Sequence, residues 1–297
     1  MGLILEAKGQ HDWIITHTSA CCAIHLEGDE YRIYFHGRNE ENQSQPGFIE
    51  VDLANPKKIL NITAAPLVKV GKPGLFDDSG VLGPWLVDSD GRAYMYYSGW
   101  TRGVSVPYYS AVGLAISNDG GKTFKKYSDA PILDRSEIDP YMVISGCVRK
   151  EKENWQMWYS SAKDFQIMNG EPMYYYHIKY AESKDGIHWD RNGRVCIDFE
   201  HQNETRIGRP CVMKENGLYK MWYSYAAPAY RIGYAESEDG IHWIRKDQEV
   251  GIDVSQSGWD SEMLCYAFVF EHKRRKYMLY NGNEYGKTGL GYAISEE

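Results

Sequence analysis

Apolar and polar positions alternate along this chain in short runs, and no stretch repeats its apolar positions every three or four residues. A period of two marks a half-buried strand, whereas an amphipathic helix would show a period near 3.6. The clearest runs are aromatic: Arg32-Ile33-Tyr34-Phe35-His36-Gly37, Tyr94-Met95-Tyr96-Tyr97-Ser98-Gly99, Gln156-Met157-Trp158-Tyr159-Ser160, Lys220-Met221-Trp222-Tyr223-Ser224 and Tyr277-Met278-Leu279-Tyr280-Asn281-Gly282. Each reads as a strand, because aromatic side chains suit a pleated, packed surface. Gly, Asn and Asp between the runs supply turns.

These strands are versions of one another. Anchored on Phe35, Tyr97, Tyr159, Tyr223 and Tyr280, they recur after 62, 62, 64 and 57 residues and account for the whole chain. A second repeated run follows, as in Val112–Ser117, Ile178–Ser183, Ile232–Ser237 and Leu290–Ser295. Three of these lead through Asp119-Gly120-Gly121, Asp185-Gly186 and Asp239-Gly240 to Phe124, Trp189 and Trp243. Asp-Gly between alternating runs is a strong hairpin signal. Another short run, such as Cys211–Lys214, precedes each aromatic strand. Four short antiparallel strands in each of five repeats predict an all-β protein, a five-bladed β-propeller formed by residues 1–297 as one domain. The last repeat stops after its third strand, so Leu3-Ile4-Leu5 is expected to supply the missing outer strand. Repeated helices fit neither the turns nor the period.

Composition strengthens this picture, with 24 Tyr and 9 Trp among 297 residues. A net charge of −8 gives no broad attraction to nucleic acid or anionic lipid, so neither is an expected partner. No apolar run approaches the roughly 20 residues that span a bilayer. The start lacks the basic and apolar regions of a signal peptide, which makes a cytoplasmic protein the expectation. Cys21, Cys22, Cys147, Cys196, Cys211 and Cys265 show no CxxC spacing and read as buried small hydrophobes. There is no phosphate-binding glycine loop, no GxSxG elbow and no paired-His spacing, so no cofactor or metal is expected.

In a propeller the residues just before each first strand converge near the axis. Counting back from the anchors, Asp78, Asp139, Glu204 and Asp260 fall 19 or 20 residues upstream, with Glu262 two residues beyond Asp260. The first repeat has His17, Thr18 and Ser19 there instead, with Asp12 further upstream. Clustered carboxylates raise one another's pKa, so one stays protonated as an acid while another serves as base. Cleavage of a glycosidic bond needs such a pair. Acidic residues also cap turns, but equivalent placement in four repeats favours chemistry.

Cations are expected on the same face. Arg38, Arg102 and Lys163 follow aromatic strands, while Arg206 and Arg209 enter the fourth repeat. They point either to an anionic group on the substrate, which Arg pairs bidentately, or to neutralisation of the acids; both readings stand open. Trp100, Tyr225 and Tyr285 lie on loops suited to stacking on sugar rings. Asn281 within the last aromatic run and Asn283 just past it complete the candidate binding residues. His188 and His242 occupy equivalent turns and read as structural.

The Ser-x-Asp-Gly-x-x-Trp turns at Ser183–Trp189 and Ser237–Trp243, with Met-Trp-Tyr-Ser strands, resemble the five-bladed propeller glycoside hydrolases. These include the family 43 arabinofuranosidases and xylosidases, the family 32 fructosidases and the family 130 mannoside phosphorylases. The chain is also similar to uncharacterised glycosidase-like proteins encoded among bacterial surface-polysaccharide genes. Residues 117–124 match the Asp-box of sialidases, but that box is a structural turn and sialidases have six blades. The resemblance implies an Asp base, an Asp that tunes the acid and a Glu acid, which by position are Asp78, Asp139 and Glu204. The family base sits on the first blade, where the first repeat here has no matching acid, so Asp12 on a longer loop is an alternative base, and Asp260 and Glu262 are alternatives to either partner. Inverting hydrolysis of a small saccharide or glycoside is the expectation. A glycan-binding propeller without catalysis, and a glycoside phosphorylase or biosynthetic enzyme of surface-polysaccharide assembly, are the alternatives.

Overall fold

A computed structural model describes residues 1–168 and 170–295. A short N-terminal strand β1 (Gly2–Leu5) is followed by β2 (Thr16–His25), β3 (Glu30–Arg38), β4 (Ser44–Asp52) and β5 (Ile59–Ile62), an antiparallel meander. The second meander contains β6 (Gly80–Ser89), β7 (Arg92–Arg102), β8 (Tyr108–Ser117) and β9 (Lys125–Lys126). The third contains β10 (Val143–Glu151), β11 (Asn154–Met168), β12 (Glu171–Ser183) and β13 (Trp189–Ile197). The fourth contains β14 (Arg206–Glu215), β15 (Leu218–Ala226), β16 (Tyr230–Ser237) and β17 (Ile244–Arg245). In the last, β18 (Cys265–His272), β19 (Arg275–Asn281) and β20 (Leu290–Ile294) are joined by β1, with Gly2 opposite Tyr292 and Leu3 opposite Gly291. Single parallel bridges, Ser44 to Gly80 and Tyr176 to Arg206, link the first unit to the second and the third to the fourth.

Each aromatic run is the second strand of its unit, and the anchors Phe35, Tyr97, Tyr159, Tyr223 and Tyr280 are all fully buried. The residue before an anchor latches onto the next unit. The Tyr34 hydroxyl donates to the Gly121 carbonyl at 2.9 Å, Tyr96 to Gly186 at 2.8 Å, and the Trp158 indole to Gly240 at 2.7 Å. The receiving carbonyls lie in the Asp-Gly turns, which Ser117, Ser183 and Ser237 hold by accepting the glycine N–H at 2.9 Å. Gly121 has φ 79°, a conformation that favours glycine. The turns therefore serve as sockets between units.

Every first strand carries a register shift at one equivalent place, ahead of Cys22, Trp85, Cys147, Cys211 and Phe268. Such bulges bend a strand and re-aim its side chains. Ala20, Gly83, Arg209 and Tyr266 in these bulges have positive φ. The bulges also join the units, because the residue after each of several anchors accepts a backbone N–H from the next bulge. Gly83 donates to His36 Nδ1 at 3.2 Å, Ser145 to Ser98 Oγ at 2.8 Å, and Tyr266 to Ser224 Oγ at 2.7 Å. Ala20 donates to Asn281 Oδ1 at 2.8 Å, a bond between the fifth unit and the first. Apolar packing between the units forms the core, and all six cysteines are buried thiols. Among the described residues no helix is long and apolar enough to cross a membrane.

Candidate functional site

The bulges converge on a cavity of about 380 Å³. Ala20, Gly83, Ser145, Arg209 and Tyr266 line it from the bulges, and His36, Ser98, Ser160 and Ser224 from the positions after the anchors. Its walls are aromatic: Trp100, Tyr108, Tyr174, Tyr176, Tyr230 and Tyr285. The hydroxyls of Tyr176 and Tyr230 hydrogen-bond to each other at 2.6 Å.

Three guanidinium groups face this space. Arg209 is buried and donates to the carbonyls of Gly83, Ala20, Cys21 and Pro84 at 2.9–3.1 Å, crosslinking the fourth unit to the first two. Arg206 lies over the Tyr230 ring, 5.1 Å from its centroid, and Arg38 donates to Asn42 at 3.1 Å. None of the three has a carboxylate within ion-pair distance among the described residues. Burial pulls the pKa of Arg38 and Arg209 downward, yet a guanidinium stays charged at neutral pH. His36 is held well below its usual pKa, first by burial and then by Arg38, His17 and Arg209. With Nδ1 accepting from Gly83, the neutral ring carries its proton on Nε2.

Among the described residues no Asp or Glu lines the cavity. The carboxylates found by counting back are elsewhere, and most are fastened. Asp139 is 0% exposed and accepts hydrogen bonds from Ser161 at 2.6 Å, Tyr159 at 3.0 Å, Lys179 at 3.0 Å and Arg191 at 2.9 Å. Glu204, 2% exposed, pairs with Arg245 at 2.6 Å and accepts the Glu200 N–H at 2.8 Å. Asp260, also 2% exposed, accepts the Tyr280 hydroxyl at 2.7 Å. In the second unit the equivalent residue is Asp77 rather than Asp78: Asp77 is buried, receives the Tyr97 hydroxyl at 3.2 Å and pairs with Lys126 at 2.5 Å. In these units the recurring acid thus ties the loop before the first strand to the anchor tyrosine or to a neighbouring cation.

Asp78 lies in a neighbouring cleft with Glu41 and Arg102, accepting from Gly74 and Ser79 at 2.9 Å. Burial acts against its charge, but the Gly74, Thr101 and Ser79 hydrogen bonds outweigh it and lower its pKa. Glu262 is exposed, and its backbone N–H is held by Asn283.

Among the expected binding residues, Arg38, Trp100, Arg206 and Arg209 line the cavity, as does Tyr285. His17 is buried beside Arg38, its pKa lowered to about 4 by burial, then by Arg38 and Lys287. Arg102 is exposed in the Asp78 cleft. Lys163 is also exposed and pairs with Asp198 at 3.2 Å. Tyr225 packs by Tyr223 and Arg245. Asn281 and Asn283 are buried and spend their amides on backbone groups. The serines and the Tyr108, Tyr174, Tyr176, Tyr230 and Tyr266 rings were missed. For Ser98, Ser160 and Ser224 the readable signal was the position one past each anchor, which is polar in all five repeats.

No protein-family profile matches the chain. The uncharacterized proteins MT1551 and Rv1502, from two strains of Mycobacterium tuberculosis, are each 38% identical over 296 residues, covering 100% of this chain and 98% of theirs. The chain belongs to their family. Solved structures share the fold at lower identity. One described as a glycoside hydrolase superposes with TM-score 0.75 at 18% identity, covering 100% of this protein and 91% of that one. A thermostable family-43 glycoside hydrolase gives TM-score 0.73 at 18% identity, covering 94% and 89%. An endo-arabinase from Bacteroides thetaiotaomicron gives 0.63 at 14%, covering 100% and 98%. At these identities the likeness establishes the fold of this family.

Proposed function

We propose that the protein is a five-bladed β-propeller that binds a saccharide in the cavity between its bulges, without an Asp/Glu acid–base pair there. The lining carries this reading. Aromatic faces and hydroxyls suit the apolar faces and hydroxyls of a sugar ring, and no carboxylate stands among them in the described residues. The shared fold of proteins described as glycoside hydrolases supports the saccharide class, although fold alone does not choose an activity. The equivalent inter-unit hydrogen bonds, including Asn281 to Ala20, support radial closure.

A second reading is glycoside hydrolysis in the adjoining cleft, with Asp78 as base. It is favoured by the lowered pKa of Asp78, which keeps a base ionised, and by Glu41 in the same cleft. Inversion would need the reacting carboxyls about 6.5–9.5 Å apart.

The test is an NMR panel of neutral and acidic glycosides with the wild type, Asp78→Asn and Tyr176→Phe, run with and without phosphate. Chemical-shift changes without product, weakened by Tyr176→Phe and untouched by Asp78→Asn, are expected. Product formation abolished by Asp78→Asn would replace the first reading with the second, and phosphate dependence would make it phosphorolysis.

A further inference from the structure

The cavity is unusual in what its polar atoms lack. Among the described residues, Arg38 Nε, Arg206 Nε, Arg209 Nε and Trp100 Nε1 are buried N–H donors with no hydrogen-bond partner. The hydroxyls of Ser110, Ser145 and Ser160 are buried and unpartnered as well. All seven residues line this one cavity. A buried donor left unpaired loses its hydration without replacement, so native proteins keep few of them. Their concentration in one space points to a ligand that accepts hydrogen bonds.

Ser160 shows that this is not ordinary slack between units. His36, Ser98, Ser224 and Asn281, at the equivalent positions, each accept a backbone N–H from the next bulge. Ser160 is 1% exposed and accepts none among the described residues. Glycine at 208 leaves it room, since a Cβ there would sit 2.5 Å from Ser160 Oγ. Its hydroxyl remains available to the cavity.

The charge balance narrows the ligand. Three guanidiniums face a cavity that has no Asp or Glu among the described residues of its lining. Arg209 is committed to four carbonyl oxygens, which hold it in place without cancelling its charge. A carboxylate offers two oxygens and one charge. A phosphate ester offers three oxygens and nearly two charges at neutral pH, and guanidinium geometry matches it.

We infer that the cavity seats a phosphate group, held by Arg38, Arg206, Arg209 and the Ser160 hydroxyl, beside a sugar ring packed on the tyrosine walls. This rests on the saccharide reading above. The phosphate arrives either as an ester on the sugar or as inorganic phosphate bound next to it.

Titration calorimetry of the intact protein separates the cases, using glucose, glucose 1-phosphate, glucose 6-phosphate, the corresponding mannose compounds, glucuronate and inorganic phosphate. A hexose phosphate is expected to bind more tightly than its parent hexose and than glucuronate by about tenfold or more. Arg206→Gln and Arg38→Gln should erase that margin, and Ser160→Ala should reduce it, with circular dichroism unchanged and melting not lowered for Ser160→Ala. Inorganic phosphate binding as tightly as the esters, and strengthening glucose or mannose binding, would assign the seat to free phosphate. Hexose or glucuronate binding as tightly as hexose phosphate overturns the phosphate seat and leaves the saccharide reading standing. Phosphate binding with no contribution from any sugar overturns the saccharide reading and leaves the seat. Absence of binding by every compound overturns both.

Discussion

Tyr159 donates its hydroxyl to Asp139 at 3.0 Å, across twenty residues of chain, and the same pairing recurs between Tyr280 and Asp260 at 2.7 Å. In the second unit Tyr97 meets Asp77, and in the fourth Tyr223 reaches Asp247, which shares Arg245 with Glu204. The repeated acids are therefore buried struts. Burial explains their fastening, because an ionised carboxylate taken out of water needs charged and hydrogen-bonding partners.

Removing such a strut should act on stability. Asp139→Ala leaves Lys179 and Arg191 without their shared carboxylate, and about 3–5 kcal/mol of destabilisation is expected. Tyr159→Phe should cost about 1 kcal/mol. Urea denaturation midpoints at constant slope check both. A fully stable Asp139→Ala protein would refute the strut.

Acid should unfold the protein through these groups. Burial alone would raise the pKa of Asp139, but Ser161, the Lys179 hydrogen bond and charge, and Tyr159 outweigh it and leave the net shift downward. For Glu204, burial is likewise outweighed by Arg245 and by the Glu200 N–H. A depressed carboxylate stabilises the fold above its unfolded pKa and loses that contribution as pH falls through the folded one. Stability should thus decline below about pH 4, read as a falling melting temperature with a shallower decline in Asp139→Asn.

His17 adds a separate window. Its pKa is lowered from 6.5 to about 4, so the folded state binds fewer protons than the unfolded chain between those values. Stability should fall as pH drops from 6.5 toward 4. His17→Asn, whose side chain tolerates the φ of 62° found there, should flatten that part of the pH–stability curve. An unchanged slope would remove His17 from the account.

Asn281 and Ser160 occupy equivalent positions and should respond differently. Asn281→Ala strands the Ala20 N–H between the fifth and first units, at a cost of about 1–3 kcal/mol. Ser160→Ala removes a buried hydroxyl with no partner among the described residues and should leave stability unchanged or raise it. Paired thermal melts would expose a shared structural role if both variants lost stability equally.

Gly113 faces the Tyr97 ring so closely that a Cβ would overlap it. Gly113→Ala should destabilise by about 1–3 kcal/mol through overpacking. The same relation holds between Gly233 and Tyr223, so a double variant should lose roughly the sum, measurable by denaturation.

The sequence by itself determined the repeat, the strands and the turns, because these depend on contacts within a few residues or one period. Alternation placed the aromatic anchors, and Asp-Gly marked the hairpins that became sockets for Tyr34, Tyr96 and Trp158. Arg38, Arg206 and Arg209 were legible as cations near the axis. What the acids do was decided only by tertiary structure. A count back from the anchors gives distance along the chain, whereas a one-residue change in a strand or loop turns a side chain to the other face. Asp77 therefore took the buried place and Asp78 the cleft. The cavity lining depended on five bulges that alternation does not reveal. By shifting register inside each first strand, they aim Ser145, Arg209 and Tyr266 toward one space, while the aligned carboxylates pair with tyrosines and cations elsewhere.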